Sequence, residues 1–387
     1  MGGPQQEGFG GAGELTVVIP TLGRNTVVQT VRSLLAAQGG EQLEIVVAGR
    51  IHDEKVQAAL AAIRQGHANV RHLEVEYATG DSSRKKNEGA RAGHGEFVAF
   101  VDDDVVVAED WPQQILAPFA DDKVGLVSGP GLVPDDLNAW GRLAGLALSS
   151  GGAGFVAKRY RGGTGAAYAI GWDQVIGCNA VYRRVAFEAV GGFPEEFYPG
   201  EEMLAAWRAE AAGWGLRFAP SARVWHYPRQ SPKRFWRQIW TYGATRIRLM
   251  RAGVPRHWLV LVPGLWVAVT TLLAVWALAG LAVVGYAVEG LPAGIRSGCG
   301  WWGWGQYLLL ADLCAYAIVV LWITLGTVFA TGKVGDFRVW PMLWLMHIAY
   351  GVGEWAELLR GGHDLSESTA AKAKAKAKGK RRESREG

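Results

Sequence analysis

The sequence predicts an α/β protein, a mostly parallel sheet flanked by helices, followed by a C-terminal α-helical membrane region. Three observations carry this expectation. Short apolar runs alternate with amphipathic stretches from Leu15 to Gly129, the pattern of strands joined by covering helices with right-handed crossovers. Phe97-Val98-Ala99-Phe100-Val101 then runs unbroken into Asp102-Asp103-Asp104. That is a strand buried on both faces, with three carboxylates at the end where open α/β sheets hold ligands. Finally, Trp258–Tyr286 contains no charged residue, and about 20 apolar residues suffice to cross a bilayer.

Leu15–Pro20 is the first strand, and Pro20–Asn25 a loop whose Asn25 is placed to cap a helix. Val27, Val31, Leu34 and Leu35 form the apolar stripe of that helix. Glu44–Ala48 is the second strand, Glu54–Arg64 the second helix and Val70–Tyr77 the third strand. Asp81–Ala92 reads as a loop opening a helix, and Glu96–Val101 as the fourth strand. A helix over Trp111–Phe119 and a strand over Val124–Gly129 follow. The Gly-rich stretch Ser149–Gly171, with Lys158, Arg159 and Arg161, reads as a mobile lid. Order resumes at Ile176–Tyr182. Gly200-Glu201-Glu202 is a second acidic site, opening a helix with Leu204, Trp207 and Arg208. A strand then ends in Val224-Trp225-His226. No GxGxxG follows the first strand, which argues against a dinucleotide-binding oxidoreductase.

Ser231–Arg251 mixes Lys233, Arg234, Arg237, Arg246, Arg248 and Arg251 with Phe235, Trp236, Trp240 and Tyr242. This suits a helix on an anionic membrane face, or an amphipathic helix packed on its own domain. Tyr307–Ala330, carrying Asp312, is a second span, and Val339–Ala356, near Glu354 and Glu357, a shorter third. Met1–Gly13 is Gly-rich and lacks the apolar centre of a signal peptide. The expectation is therefore a multi-pass protein of the cell membrane with its soluble domain in the cytoplasm. Three crossings would put the Lys-rich tail outside, against the positive-inside tendency.

The expected domains are a flexible N-terminus (1–13), an α/β domain (14–230), a basic interfacial segment (231–256), about three membrane helices (257–360) and a disordered basic tail (361–387). Net charge is +4, but residues 372–387 hold eight Lys/Arg against two Glu, so the remainder carries −2. No nucleic-acid partner is indicated. Cys178, Cys299 and Cys314 lack metal or disulfide spacing.

Adjacent carboxylates repel, and a bound cation relieves them. Oxygen ligands suit Mg²⁺ or Mn²⁺, although a solvated acidic turn has the same composition. Glu201 and Glu202 equally suit the first turn of a helix, His226 a hydrogen-bonded strand end, and Cys178 a small packed residue. Trp207 and Trp214 read as core.

Together, VVIPTLGR (17–24), SRKKNEGARAGHGEFVAFVDDD (83–104), GCNAVYRR (177–184) and GEEMLAAWRAEAAGWGLRFAPSARVWH (200–226) resemble the inverting family 2 glycosyltransferases. These have a GT-A fold, a Rossmann-like sheet, often followed by membrane helices. The likeness runs from about Leu15 to about Gly243. It implies that Pro20, Thr21 and Arg24 meet the nucleotide, with Lys86 and Asn87 near its phosphates. Asp102 and Asp104 match the outer acids of the DxD signature. Asp103 lies with them at the cofactor, and Asp104, Asp102 and His226 hold the metal. Glu202 takes the place of the general base, and Glu201, Cys178 and Asn179 line the acceptor site.

The sequence departs from the family in three places. Ala48-Gly49-Arg50 replaces an Asp pair that reads the base, Glu replaces Asp at 202, and the Gln-x-x-Arg-Trp motif of processive synthases is missing. The expected function is metal-dependent sugar transfer from a UDP- or GDP-sugar to a glycan or lipid-linked acceptor at the cytoplasmic membrane face, among membrane lipids. The alternatives are a processive polysaccharide synthase, a non-catalytic nucleotide-sugar-binding scaffold and a nucleotidyltransferase.

Overall fold

The computed structural model describes residues 14–75, 82–134, 136–227, 231–255, 258–287 and 300–360. The expected flexible N-terminus, the basic tail and the end of the predicted third strand lie outside these residues. The chain forms two compact units. One comprises the residues up to Leu137 with Phe155–Pro228; the other comprises Asn138–Gly154 with Arg229–Gly361.

In the first unit, β1 (Leu15–Pro20), β2 (Glu44–Ala48), β3 (Val70–Leu73) and β4 (Phe97–Phe100) pair in parallel in the order β3-β2-β1-β4. Helices α1 (Thr26–Ala36), α2 (Glu54–Gly66) and α3 (Ser82–Ala92) connect them. After β5 (Val105–Val107), α4 (Trp111–Leu116), β6 (Val124–Ser128) and β7 (Gly131–Leu132), α5 (Ala139–Ser149) leads into the Gly-rich stretch. The sheet is mixed rather than purely parallel. β8 (Tyr168–Ala169) and β9 (Ala180–Arg183) run against their neighbours, β9 between β4 and β6. The remaining elements of the unit are α6 (Arg184–Ala189), α7 (Glu201–Ala211), β10 (Gly215–Phe218) and β11 (Val224–His226). A second sheet, β5-β11-β7, sets His226 opposite Val105, the first residue after the acidic run.

Every residue of β1 is buried, as a strand covered on both faces requires. Val17 and Ile19 join the core under α1 and α4, while Val18 faces a second cluster with Phe100, Tyr182, Phe187 and Phe193. The Phe100 ring lies 4.7 Å from Phe193 and 5.1 Å from Phe187. These tilted and edge-on contacts favour aromatic packing.

Two local expectations are corrected. Asn25 stands before α1 in helical conformation and its side chain makes no cap bond; the first turn is closed by backbone bonds to Arg24 and Asn25 instead. The Gly-rich stretch, expected to be irregular, carries local structure. Gly151–Tyr160 forms short helical turns broken at Gly154 (φ 60°, ψ −140°), and β8 then pairs with β10. Backbone bonds from Gly163 to Pro220 and from Ile170 to Leu216 seat the later part on the sheet edge.

The second unit contains α5, α8 (Pro232–Arg251), α9 (Val262–Ala287), α10 (Gly300–Thr331) and α11 (Val339–Leu359). Among the described residues, two helices are long and apolar enough to cross a membrane, over Trp258–Ala282 and Trp304–Thr331. The expected third span is not one of them. Its helix, α11, buries Met342, Leu343, Met346, Glu354 and Glu357. α8 and α11 touch backbone to backbone: a Cβ at Gly243 would lie 2.0 Å from the Tyr350 carbonyl oxygen, and one at Gly353 2.0 Å from that of Trp240. α8 has one packed face and one exposed face. Phe235, Ile239 and Gly243–Leu249 are buried, while Lys233, Arg234, Trp236, Arg237 and Tyr242 stay exposed. Thr270 donates to Asp312 at 2.7 Å, joining α9 to α10. His347 Nε2 meets the Gly152 carbonyl at 2.8 Å, which can only accept, so the proton sits on Nε2. Nδ1 is then free to take the Tyr316 hydroxyl, 2.5 Å away.

Glu44 ties the N-terminal ends of the parallel strands together. It accepts from Thr16 at 2.6 Å, from the His94 backbone at 2.6 Å, and from Arg71. Burial would raise its carboxyl, but the bonds from Thr16 and His94 and the Arg71 charge outweigh it and hold the group at about 2. Its stabilising effect is therefore complete above the ordinary carboxylate range and is lost as pH falls toward 2. Glu44→Gln should lower unfolding free energy at neutral pH by about 1 kcal/mol, discounted for its partial exposure. It should also flatten the acid limb between about pH 4.5 and 2. Denaturant titrations across that range check this, and an unaltered acid limb would refute the role given to Glu44.

Candidate active site

The loop after β1 is built on a buried carboxylate. Asp103 is 1% exposed. One of its oxygens accepts from the Thr21 hydroxyl at 2.7 Å and the Leu22 amide at 3.3 Å; the other lies 2.5 Å from Arg24 Nη2. Burial pushes the Asp103 carboxyl up, against the pull of Arg24 and Thr21. Asp103, expected at the cofactor, turns its carboxylate toward Thr21, Leu22 and Arg24. Lys85, which the sequence reading passed over, donates to the Thr21 carbonyl at 3.0 Å and pins the same loop. Gly49 makes room for this, since a Cβ there would fall 2.3 Å from that carbonyl oxygen. Pro20 closes β1 in register with Ala48.

Asp102 and Asp104 flank Asp103, Asp104 already in contact with Arg24 and His226. With His226 they form a group whose ligand atoms all lie within 4.8 Å of one another. His226 Nε2 is 3.1 Å from Asp104 Oδ1, placed there by the β5-β11 pairing. Two carboxylates and an imidazole fit a divalent cation, so the donor set agrees with the sequence expectation. Cys178 lies deeper. Burial pushes its thiol well up, and the charges of Asp102 and Asp104 push the same way, so it stays protonated at neutral pH.

The second acidic pair opens α7. Lys86 Nζ contacts Glu201 Oε1 at 3.1 Å, with both side chains almost fully buried. Burial works against the ammonium, but Glu201, Asp102 and Glu202 together outweigh it and hold its proton firmly. Glu202 is pushed up to about 7, first by burial and then by the charge of Glu201, against Lys86 and Arg159. Its side chain lies against Gly177, where a Cβ would sit 3.4 Å from Glu202 Cδ. Tyr198, also missed in the sequence, is raised by burial and then by Glu201, Asp102 and Glu202, with Lys86 opposing. Arg159, from the Gly-rich stretch, also donates to the Asp173 carbonyl.

Two asparagines prove structural. Asn87 exchanges bonds with both backbone groups of Phe193, at 2.8 and 2.9 Å, and so holds that loop rather than a phosphate. Asn179 is fully buried. It accepts from Trp111 Nε1 at 2.9 Å and donates to Pro130 and Ala222 carbonyls at 3.1 and 2.8 Å. Both of its side-chain N–H donors are therefore used within the protein.

The sequence profile of the glycosyltransferase-like family 2 matches residues 12–242, more than half of the chain. The chain belongs to that family. Among curated relatives, it is 28% identical over 157 residues to an O-antigen chain rhamnosyltransferase of Salmonella anatum, covering 40% of this chain and 48% of that one. It is 29% identical over 215 residues to the pre-mycofactocin glycosyltransferase of Mycobacterium tuberculosis, covering 55% and 42%. The chain thus spans less than half the length of these relatives. Among solved structures, a mannosyltransferase of Pyrobaculum calidifontis in complex with GDP-mannose and Mn²⁺ aligns at TM-score 0.48 and 19% identity, over 90% of this chain and 91% of that one.

In this family 2 chain, the departure after β2 has a visible consequence. Arg50 pairs with Glu74 at 3.2 Å, both exposed, where the family pattern has an acidic pair. Asn179 gives the sharpest test of the site's construction. Asn179→Ala should cost about 3 kcal/mol, because it leaves the Trp111 N–H and the Ala222 carbonyl without their partner and the Pro130 carbonyl with only the Val224 amide. Chemical denaturation of the full chain measures this; an unchanged stability with a raised acceptor KM would return Asn179 to the acceptor site.

Proposed function

We propose that this protein is a metal-dependent inverting glycosyltransferase that moves a sugar from a nucleotide-sugar donor to an acceptor at the cytoplasmic face of a membrane. One observation carries the reading. Lys86 pairs with Glu201 at 3.1 Å, and the charges of Asp102, Glu201 and Glu202 all act on Lys86 and Tyr198, which supports placing the two acidic patches, about a hundred residues apart in sequence, at one site. Asp102, Asp104 and His226 would hold Mg²⁺ or Mn²⁺. When bound, the ion supplies Lewis-acid neutralisation of the diphosphate leaving group. Pro20, Thr21 and Arg24 would border the nucleotide, and Lys86 would add positive charge beside it.

Glu202 is the general base. A carboxylate pushed up to about 7 is ionised enough to act near neutrality and basic enough to take a proton from an attacking hydroxyl. A base that delivers the acceptor on the side opposite the leaving group inverts the anomeric centre. Glu201 holds Lys86 and so orients the pair.

The two apolar helices support membrane anchoring. Two crossings return the chain to the face it left, which reconciles a cytoplasmic start with a Lys-rich tail on the same side. The exposed Lys233, Arg234, Trp236 and Arg237 of α8 suit anionic headgroups and an interfacial role for residues 231–256. A lipid-linked or cell-envelope glycan acceptor fits an enzyme held at a bilayer.

Glu202→Gln should lower kcat by about 10²–10⁴-fold with little change in donor affinity. In the wild type, log kcat/KM should rise with pH on a limb centred near 7, because the base works only when ionised, and Asp104→Asn should remove the metal requirement's saturation curve. Nucleoside diphosphate release from a panel of UDP-, GDP- and dTDP-sugars, with Mg²⁺ or Mn²⁺ and membrane lipid extract, is the assay. Full activity in Glu202→Gln would end the base assignment.

A further inference from the structure

Asp104 is the most heavily engaged of the acids that would bind the ion, and this bears on how an ion gets in. Its Oδ1 faces His226 Nε2 at 3.1 Å, and its Oδ2 accepts from Arg24 Nη1 at 2.8 Å. The other arm of the same guanidinium lies 2.5 Å from the buried Asp103. Arg24 therefore spans two neighbouring carboxylates and already neutralises much of the negative charge that would attract a divalent ion. Two cations side by side on one carboxylate repel strongly where solvent is partly excluded.

We infer that Arg24 is a resident counter-ion of the acidic run, and that a divalent ion occupies Asp104 only by displacing Arg24 Nη1 from its Oδ2. The exchange is local. Arg24 keeps its second arm on Asp103, and Asp103 keeps Thr21 and Leu22, so the loop after β1 retains its anchor while the guanidinium swings. The displaced arm exposes N–H donors whose planar geometry suits a phosphate. The ion is thereby bound weakly alone and more tightly when an anionic diphosphate arrives to meet Arg24. The inference rests on the metal assignment proposed above and goes beyond it by giving Arg24 a role against the ion.

The test uses the full chain in detergent and Mn²⁺ alone, with free Mn²⁺ counted by electron paramagnetic resonance. Removing the competing cation in Arg24→Gln should tighten Mn²⁺ binding about two- to fivefold, the weight of one partly exposed ion pair. Arg24→Lys, whose single ammonium cannot bridge both carboxylates, should lie between variant and wild type and carries the test if Arg24→Gln does not fold. Asp104→Asn should abolish the binding. If both Arg24 variants, with wild-type melting curves, bind Mn²⁺ no tighter than wild type while Asp104→Asn still abolishes it, the exchange is refuted and the metal site stands. If wild type and all variants leave millimolar Mn²⁺ free, the exchange and the metal assignment fall together.

Discussion

The site depends on one buried ion pair. Lys86 and Glu201 are almost fully buried and meet at 3.1 Å. Neither charge could stay inside alone, since an unpaired buried ion costs several kcal/mol. Each therefore fixes the other's position, and with it α3 against the start of α7. That constraint sets Glu202 on the adjacent residue, in a place dry enough to lift its carboxyl. It also holds a positive charge that interacts with Asp102. A pair whose contribution to stability is close to neutral thus organises the electrostatics of both acidic patches.

The fold was legible wherever a local pattern encoded it. The unbroken apolar runs of β1 and β4, and the stripe of Val27, Val31 and Leu34, are read from periodicity alone. The direction of β9 was not, because a strand's own residues do not record whether its neighbour runs with or against it. The same holds for β8, two residues that become a strand only because β10 offers an open edge. Asn25 looked like a cap, but its backbone already lies in the helical region, so its side chain is not turned back over the first amides.

At the site, residue type indicated chemistry more reliably than role. Asp102, Asp104 and His226 converge as expected. Asp103, Asn87 and Asn179 sit within the same motifs yet turn inward and satisfy backbone groups. Every polar atom taken into the interior needs a partner, and short motifs that pass beside a site supply those partners as well as the reactive groups. Lys85 escaped notice for the same reason: a buried lysine is predictable only once its acceptor, the Thr21 carbonyl, is known.

The polypeptide visits its helical bundle early. Asn138–Gly154 belongs to that second unit, where α5 packs on α11 and His347 holds the Gly152 carbonyl, before the chain returns to build β8 through β11. The catalytic half is consequently not a contiguous piece of sequence. Cutting after residue 230 to obtain a soluble enzyme would strip Ala144, Ala147 and Leu148 of α5 of their packing partners and strand a greasy helix in mid-domain. Any engineered soluble form has to redesign that excursion as well as remove the C-terminal helices.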